Sequence, residues 1–228
     1  MQAPAITRNS CATVGRPKKC DQHDRVVHDA LLVAADECLI SEASTRVPVR
    51  RIAAKAGVNQ AMVNYYFSSK GGLFLALFEN QLARLVKDLK KLLKEISILD
   101  VSFGENYDPI EELILIIEEN FSKSPALFVM MHTDMLDSSS ETMRAYKDRF
   151  GARGYSVIAK IMAVLMRRGV CRDDISPGHA AYFICSTSAM PFLVSPIFEK
   201  AFDSKIDGQV AEHRRKATAL LFKPNLSN

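Results

Sequence analysis

Val63 and Phe67, at i and i+4, would seat one side of a short helix on a core and leave Gln60, Ala61, Asn64 and Tyr65 pointing outward. Those outward types suit the edge of a DNA groove. Gln and Asn can each bond an adenine edge in two places, Ala can touch a thymine methyl, and Tyr can bond a phosphate.

The neighbouring residues supply the elements needed to hold such a helix. Asn59 is placed to cap a helix over Gln60–Phe67, and Val58 before it can pack on the next turn as a hydrophobic staple. Upstream, Pro48 fits the first turn of a second short helix, in which Val49, Ile52 and Ala53 face inward while Arg50, Arg51 and Lys55 face outward. Gly57 stops that helix at the expected C-terminal position. From Arg25 onward, Val27, Ala30, Leu31, Ala34, Ala35, Cys38 and Leu39 mark one face of a first helix, with Asp21 or Asp24 as its cap. Two short helices joined at a glycine form a helix-turn-helix, whose second member can lie in a major groove.

The charge distribution agrees with this placement. Residues 1–70 hold ten basic and six acidic residues, and the net charge of +4 lies wholly within them. No Asp or Glu occurs from Ala43 to Phe78, a window that contains Arg46, Arg50, Arg51, Lys55 and Lys70. A polyanion facing this stretch would meet no repelling carboxylate from it. Ahead of it, Arg16, Lys18 and Lys19 flank Pro17 in a segment with no apolar period, which suits an extended basic arm reaching a minor groove.

The run from Val49 to Leu73 resembles the DNA-binding signature of the TetR family of bacterial transcriptional regulators. The matching features are Ile52-Ala53, Ala56-Gly57-Val58, Tyr66-Phe67 and Ser69-Lys70, within a similarity that spans residues 25 to about 78. The resemblance implies a homodimer that binds a near-palindromic double-stranded operator and represses until a small molecule binds. It also implies that Gln60, Ala61 and Asn64 read bases, that Tyr65, Tyr66 and Lys70 contact phosphates, and that Arg50 contacts the backbone from the second helix. Gly71-Gly72 stand where an acidic residue is more common in the family, and they predict a soft joint at the start of the fourth helix.

Beyond the head, Leu73, Leu77, Leu82, Leu85, Leu89, Leu92, Leu93 and Ile96 predict a long amphipathic helix with Lys87, Lys90, Lys91 and Lys94 on its other face. Further helices are expected over 109–121, 125–136, 141–168, 177–196 (kinked or split at Pro191) and about 207–222. The last two resemble the pair that forms a four-helix dimer interface in this family, with Val210, Ala217, Leu220 and Leu221 on an apolar side. Phe128, Met131, His132 and Asp134 are candidates for an effector pocket, because methionines adapt to ligands and the polar pair could orient one.

The chain is therefore expected to be all-α. A flexible basic arm (1–20) leads into a three-helix DNA-binding head with a helix-turn-helix (21–69), joined by a long helix to an effector-binding and dimerisation domain (70–228). The single 24-residue stretch without Asp, Glu, Lys or Arg, 175–198, carries three prolines and several hydroxyls, so a buried or interface helix is expected in place of a membrane span. Five scattered cysteines without a C-x-x-C pair suit a reducing cytoplasm, with no metal or other cofactor. No nucleotide-binding, hydrolase or zinc-protease motif nominates an enzyme. The rival to a DNA-binding regulator is a helical ligand-binding or scaffold dimer that no longer reads DNA.

Overall fold

The computed structural model describes residues 18–42, 44–98, 107–123, 144 and 152–224. Among these residues the chain is all-helical and has no strand. The helices are α1 (Lys18–Glu42), α2 (Val49–Lys55), α3 (Ala61–Phe67), α4 (Lys70–Ile98), α5 (Pro109–Ser122), α6 (Ala152–Arg167), α7 (Pro177–Phe202) and α8 (Gly208–Leu220). The helix expected over 125–136, most of 141–151, Arg16 and the four pocket candidates Phe128, Met131, His132 and Asp134 lie outside the described residues.

α1 starts earlier than its apolar period suggests. No glycine or proline interrupts Lys18–Arg25, so the helix propagates back through Lys18 and Lys19, which the sequence placed in the arm. Asp21 and Asp24 are consequently inside the helix and do not cap it.

Two cores form along the length of α4. In the first, Leu31, Ala35, Cys38 and Leu39 of α1 meet Ile52 of α2, Val63 and Phe67 of α3, and Leu73, Phe74, Leu77 and Phe78 of α4. The head's packing thus runs two turns past residue 69, into α4. In the second, Leu89, Leu92 and Ile96 of α4 pack with Ile110, Leu113, Ile114 and Ile117 of α5, Ile158, Ile161 and Leu165 of α6, and Ile184 of α7. The four lysines at 87, 90, 91 and 94 lie on the exposed side of α4, as its amphipathic pattern requires.

At the seam between the cores the contacts change character. Phe121, near the end of α5, packs against both cores, and its ring lies 6.0 Å from that of Phe192 on α7. Gln81 is buried on α4 and donates from Nε2 to Asp36 Oδ1 on α1 at 3.0 Å. Burial pushes the Asp36 carboxyl above its ordinary pKa, against the opposing pull of that hydrogen bond.

α7 is one helix through Pro191 and Pro196, so the chain is not split at Pro191. Hydroxyls in the same helix donate to its own carbonyls: Ser186 to Tyr182, Thr187 to Phe183 at 2.9 Å, and Ser195 to Pro191 at 2.6 Å. These back-bonds satisfy three hydroxyls of the charge-free stretch, whereas the Ser188 hydroxyl is buried without a hydrogen-bond partner among the described residues. No described helix is long and apolar enough to cross a membrane.

α8 is held to α5 by charge. Glu118, 9% exposed, accepts from Arg214 Nη2 at 2.7 Å and from Arg215 Nη1 at 3.1 Å. Removing the one acid would leave two poorly hydrated guanidinium groups facing each other. Glu118→Ala is expected to lower the unfolding free energy by about 3 kcal/mol, read as a shift in urea midpoint, with much of the loss recovered when Arg214 and Arg215 are replaced by methionine as well.

Candidate nucleic-acid interface

The turn between α2 and α3 is built from backbone bonds that require a glycine. Gly57 has φ +69°, in the left-handed region; its N–H donates to Ala54 O at 3.1 Å, and the Val58 N–H donates to Ala53 O at 3.0 Å. This pair of bonds is a Schellman motif, which closes α2 and turns the chain toward α3. Pro48 stands one position ahead of α2 with extended backbone, its carbonyl receiving the Arg51 N–H. Asn59 Oδ1 accepts from Ala61 N at 2.9 Å, so Asn59 caps α3 as its position predicts.

Val63 and Phe67 are buried in the head core, and Gln60, Ala61, Asn64 and Tyr65 are all exposed. The two faces of α3 are therefore arranged as the i, i+4 spacing anticipates. Behind the exposed face the aromatic residues form a support. The Tyr65 ring meets the edge of Tyr66 at 4.8 Å, and Tyr66 Oη donates to Asp24 Oδ1 of α1 at 3.1 Å. His28 of α1 lies 4.8 Å from the Phe67 ring. Tyr66 thus ties α3 to α1 in the unbound protein, and a phosphate would compete with Asp24 for its hydroxyl proton.

The cations of the acid-free window divide into two groups. Arg51 pairs with Glu42 at 2.9 Å and Lys55 pairs with Glu37 at 2.9 Å, so the acids of α1 neutralise one side of α2. Arg46 and Arg50 are exposed and form no ion pair among the described residues. Lys70 is half-buried: its Nζ donates to Thr45 O at 3.1 Å and Val47 O at 3.4 Å and lies 5.8 Å from the Phe74 ring centre. It fastens the loop before α2 to the start of α4. Glu37 and Glu42 were not singled out by sequence reasoning, and Asp24 was read only as a helix cap, because their partners lie on other helices and no local spacing marks them.

The α3–α4 corner differs most from expectation. Ser68 turns the chain with φ 64°, and Ser69 then caps α4 by accepting from Gly72 N at 3.0 Å. A Cβ added at Gly72 would lie 1.9 Å from the carbonyl oxygen of Phe67, a backbone atom that cannot swing aside. Gly72 is therefore a point of close approach, where the sequence suggested a soft joint. Its missing side chain lets the end of α3 abut the first turn of α4.

Residues 31–77, from α1 through α2 and α3 into α4, match the family described as bacterial regulatory proteins, tetR family. The head of the chain is a TetR-family head. A curated relative, the HTH-type transcriptional repressor NicS of Pseudomonas putida, is 27% identical over 169 residues, which cover 74% of this chain and 76% of that protein. Among solved structures, a TetR-family regulator from Mesorhizobium loti superposes with a TM-score of 0.65 at 17% identity, covering 90% of this chain and 97% of its own. The fatty acid degradation regulator FadR of Bacillus halodurans gives a TM-score of 0.66 at 15% identity, covering 86% and 93%. All three of these similar proteins are regulators.

Gly57 and Gly72 of the head should respond differently to an added methyl. Nothing lies within 4 Å of a Cβ at Gly57, so Gly57→Ala carries only the left-handed backbone cost, about 1 kcal/mol. Gly72→Ala must push α3 and α4 away from each other and is expected to cost about 3 kcal/mol, with the larger fall in urea midpoint checking the order.

Proposed function

We propose that this regulator is a ligand-responsive repressor that binds a near-palindromic operator as a homodimer. The observation that carries the reading is the arrangement of α3: Gln60, Ala61, Asn64 and Tyr65 are exposed together, while Val63, Phe67 and the Tyr66–Asp24 bond hold the opposite side of the helix. In this reading Gln60 and Asn64 bond base edges, Ala61 touches a thymine methyl, and Tyr65 and Arg50 bond phosphates. Lys70 offers a phosphate the donor it does not spend on Thr45 and Val47, and Tyr66 joins if its bond to Asp24 yields. Arg16, Lys18 and Lys19 approach the minor groove at the head's N-terminal edge. Repression is supported by the NicS likeness.

Two reading heads need a two-fold axis, and the exposed faces of α7 and α8 suit one. Phe183, Met190, Val194, Phe198 and Phe202 line one side of α7, while Val210, Ala217, Leu220 and Leu221 stand exposed on and just after α8. Phe202, Leu220 and Leu221 are 69, 66 and 63% exposed in the single chain, a large apolar cost that a partner subunit would remove. Dimerisation through these two helices brings two copies of α3 to successive turns of one DNA face.

The test is fluorescence anisotropy with labelled DNA from the chain's own upstream region and with a scrambled duplex, across a salt series. The expected result is two subunits per site and an affinity at least ~10³ above the scrambled duplex. Arg50→Ala should weaken both duplexes and lower the salt slope by roughly 1, whereas Gln60→Ala and Asn64→Ala should alter preference at particular base pairs by about 1 to 3 kcal/mol and leave the slope unchanged. No binding to either duplex at low salt would favour the scaffold dimer. A Phe198→Glu/Leu220→Glu variant should sediment as a monomer and lose operator binding; a persistent dimer would place the interface elsewhere.

A further inference from the structure

A groove of about 770 Å³ lies between α4 and α6, and its lining combines two kinds of surface. Leu82, Ala83 and Val86 give it an apolar strip along one turn of α4. Lys87 and Lys90 of α4 and Arg153 of α6 stand around that strip, with Glu79 as the one acid among the described lining residues. Neither Lys87 nor Lys90 forms an ion pair among the described residues, in contrast to Lys91, which faces Glu95 at 3.8 Å, and Lys123, which pairs with Glu119 at 2.8 Å. Among the described residues, Lys87 and Lys90 thus stand without an ion pair beside apolar surface.

From this juxtaposition we infer that the groove binds a small organic anion, an acid group joined to an apolar body, with the acid held by Lys87 and Lys90 and the body on Leu82, Ala83 and Val86. A purely polar anion would gain nothing from the apolar strip, and a neutral apolar molecule would bury lysine ammonium groups without compensation. The volume lies within the range of small-molecule sites. An extended nucleic acid fits less well, because a backbone track needs cations spaced along a polar surface.

The inference rests on the reading of the chain as a ligand-responsive regulator and names the chemical class of its ligand. The groove is placed to act on the head. Leu82 lines it and also packs against the head core, and the position of a Cβ on Gly154 of α6 lies 3.6 Å from Leu82 Cδ1. A ligand that bridges α4 and α6 at this level changes the packing around Leu82, one turn beyond Phe78.

The experiment compares three molecules that share an apolar body: 2-naphthoate, 2-naphthylmethylamine and 2-naphthylmethanol, titrated into the full-length protein by isothermal calorimetry. Naphthoate is expected to bind at least about tenfold more tightly than the amine or the alcohol, and Lys87→Ala/Lys90→Ala to weaken it about tenfold with an unchanged melting temperature. Lys91→Ala/Lys94→Ala, which removes the same charge from outside the groove, should leave naphthoate affinity unchanged. Equal binding of the three molecules, absence of naphthoate binding at millimolar concentration, or equal losses in the two lysine pairs would overturn the inference.

Operator anisotropy separates this inference from the reading beneath it. If naphthoate binds through Lys87 and Lys90 but operator affinity does not change, the anion site stands and ligand-responsive repression falls. If a different molecule releases the operator and the Lys87→Ala/Lys90→Ala variant responds to it as the parent does, repression by ligand stands and the anion site falls.

Discussion

Leu73, Phe74, Leu77 and Phe78 are buried in one core and Leu89, Leu92 and Ile96 in another, and all seven belong to one uninterrupted helix. Burial of each such side chain is worth about 1.5 to 3 kcal/mol, so neither core can release α4 cheaply. The head and the body are therefore joined by a helix that both need for their stability. Among the described residues several elements meet this shared helix: α3 abuts its first turn, α1 bonds to it at Gln81, and α5 and α6 pack on its second half.

Charge is used differently in the two halves. In the head, α1 supplies Glu37 and Glu42 to neutralise Lys55 and Arg51, while Arg46 and Arg50 stay exposed. The result is a sorted surface, with acids and their partners at the α1–α2 contact and unmatched cations beside the turn. In the body, the buried Glu118 with Arg214 and Arg215 serves attachment, and its cost in desolvation is offset by two hydrogen bonds from opposite charges. A simple count of the cations between Ala43 and Phe78 treats these roles as one.

The helix-turn-helix was legible because its signals are local. Gly57 at the end of α2, Asn59 before α3 and the Val63–Phe67 pair each state their role within a few residues, and the all-α architecture follows from helical periods and proline-marked starts. What was not legible depends on contacts between helices distant in sequence. Asp24 reads as a cap until Tyr66 is seen to bond it, and Lys70 reads as a free cation until Thr45 and Val47 are found beneath it. Gly72 reads as a weak helix residue until the Phe67 carbonyl is placed beside it. Pro191 reads as a kink or a split, and the helix is not split there.

The abutment of Phe67 on Gly72 has a geometric consequence for how a signal could travel. With no side chain between them, α3 and the start of α4 move as one piece, so the reading helix follows α4 like the tip of a pointer. Twenty-nine residues of helix span roughly 43 Å. A tilt of about 5° at the far end carries the tip roughly 4 Å, close to the ~3.4 Å between successive base pairs. An angular change too small to disturb either core would be enough to put a recognition helix out of step with its half-site.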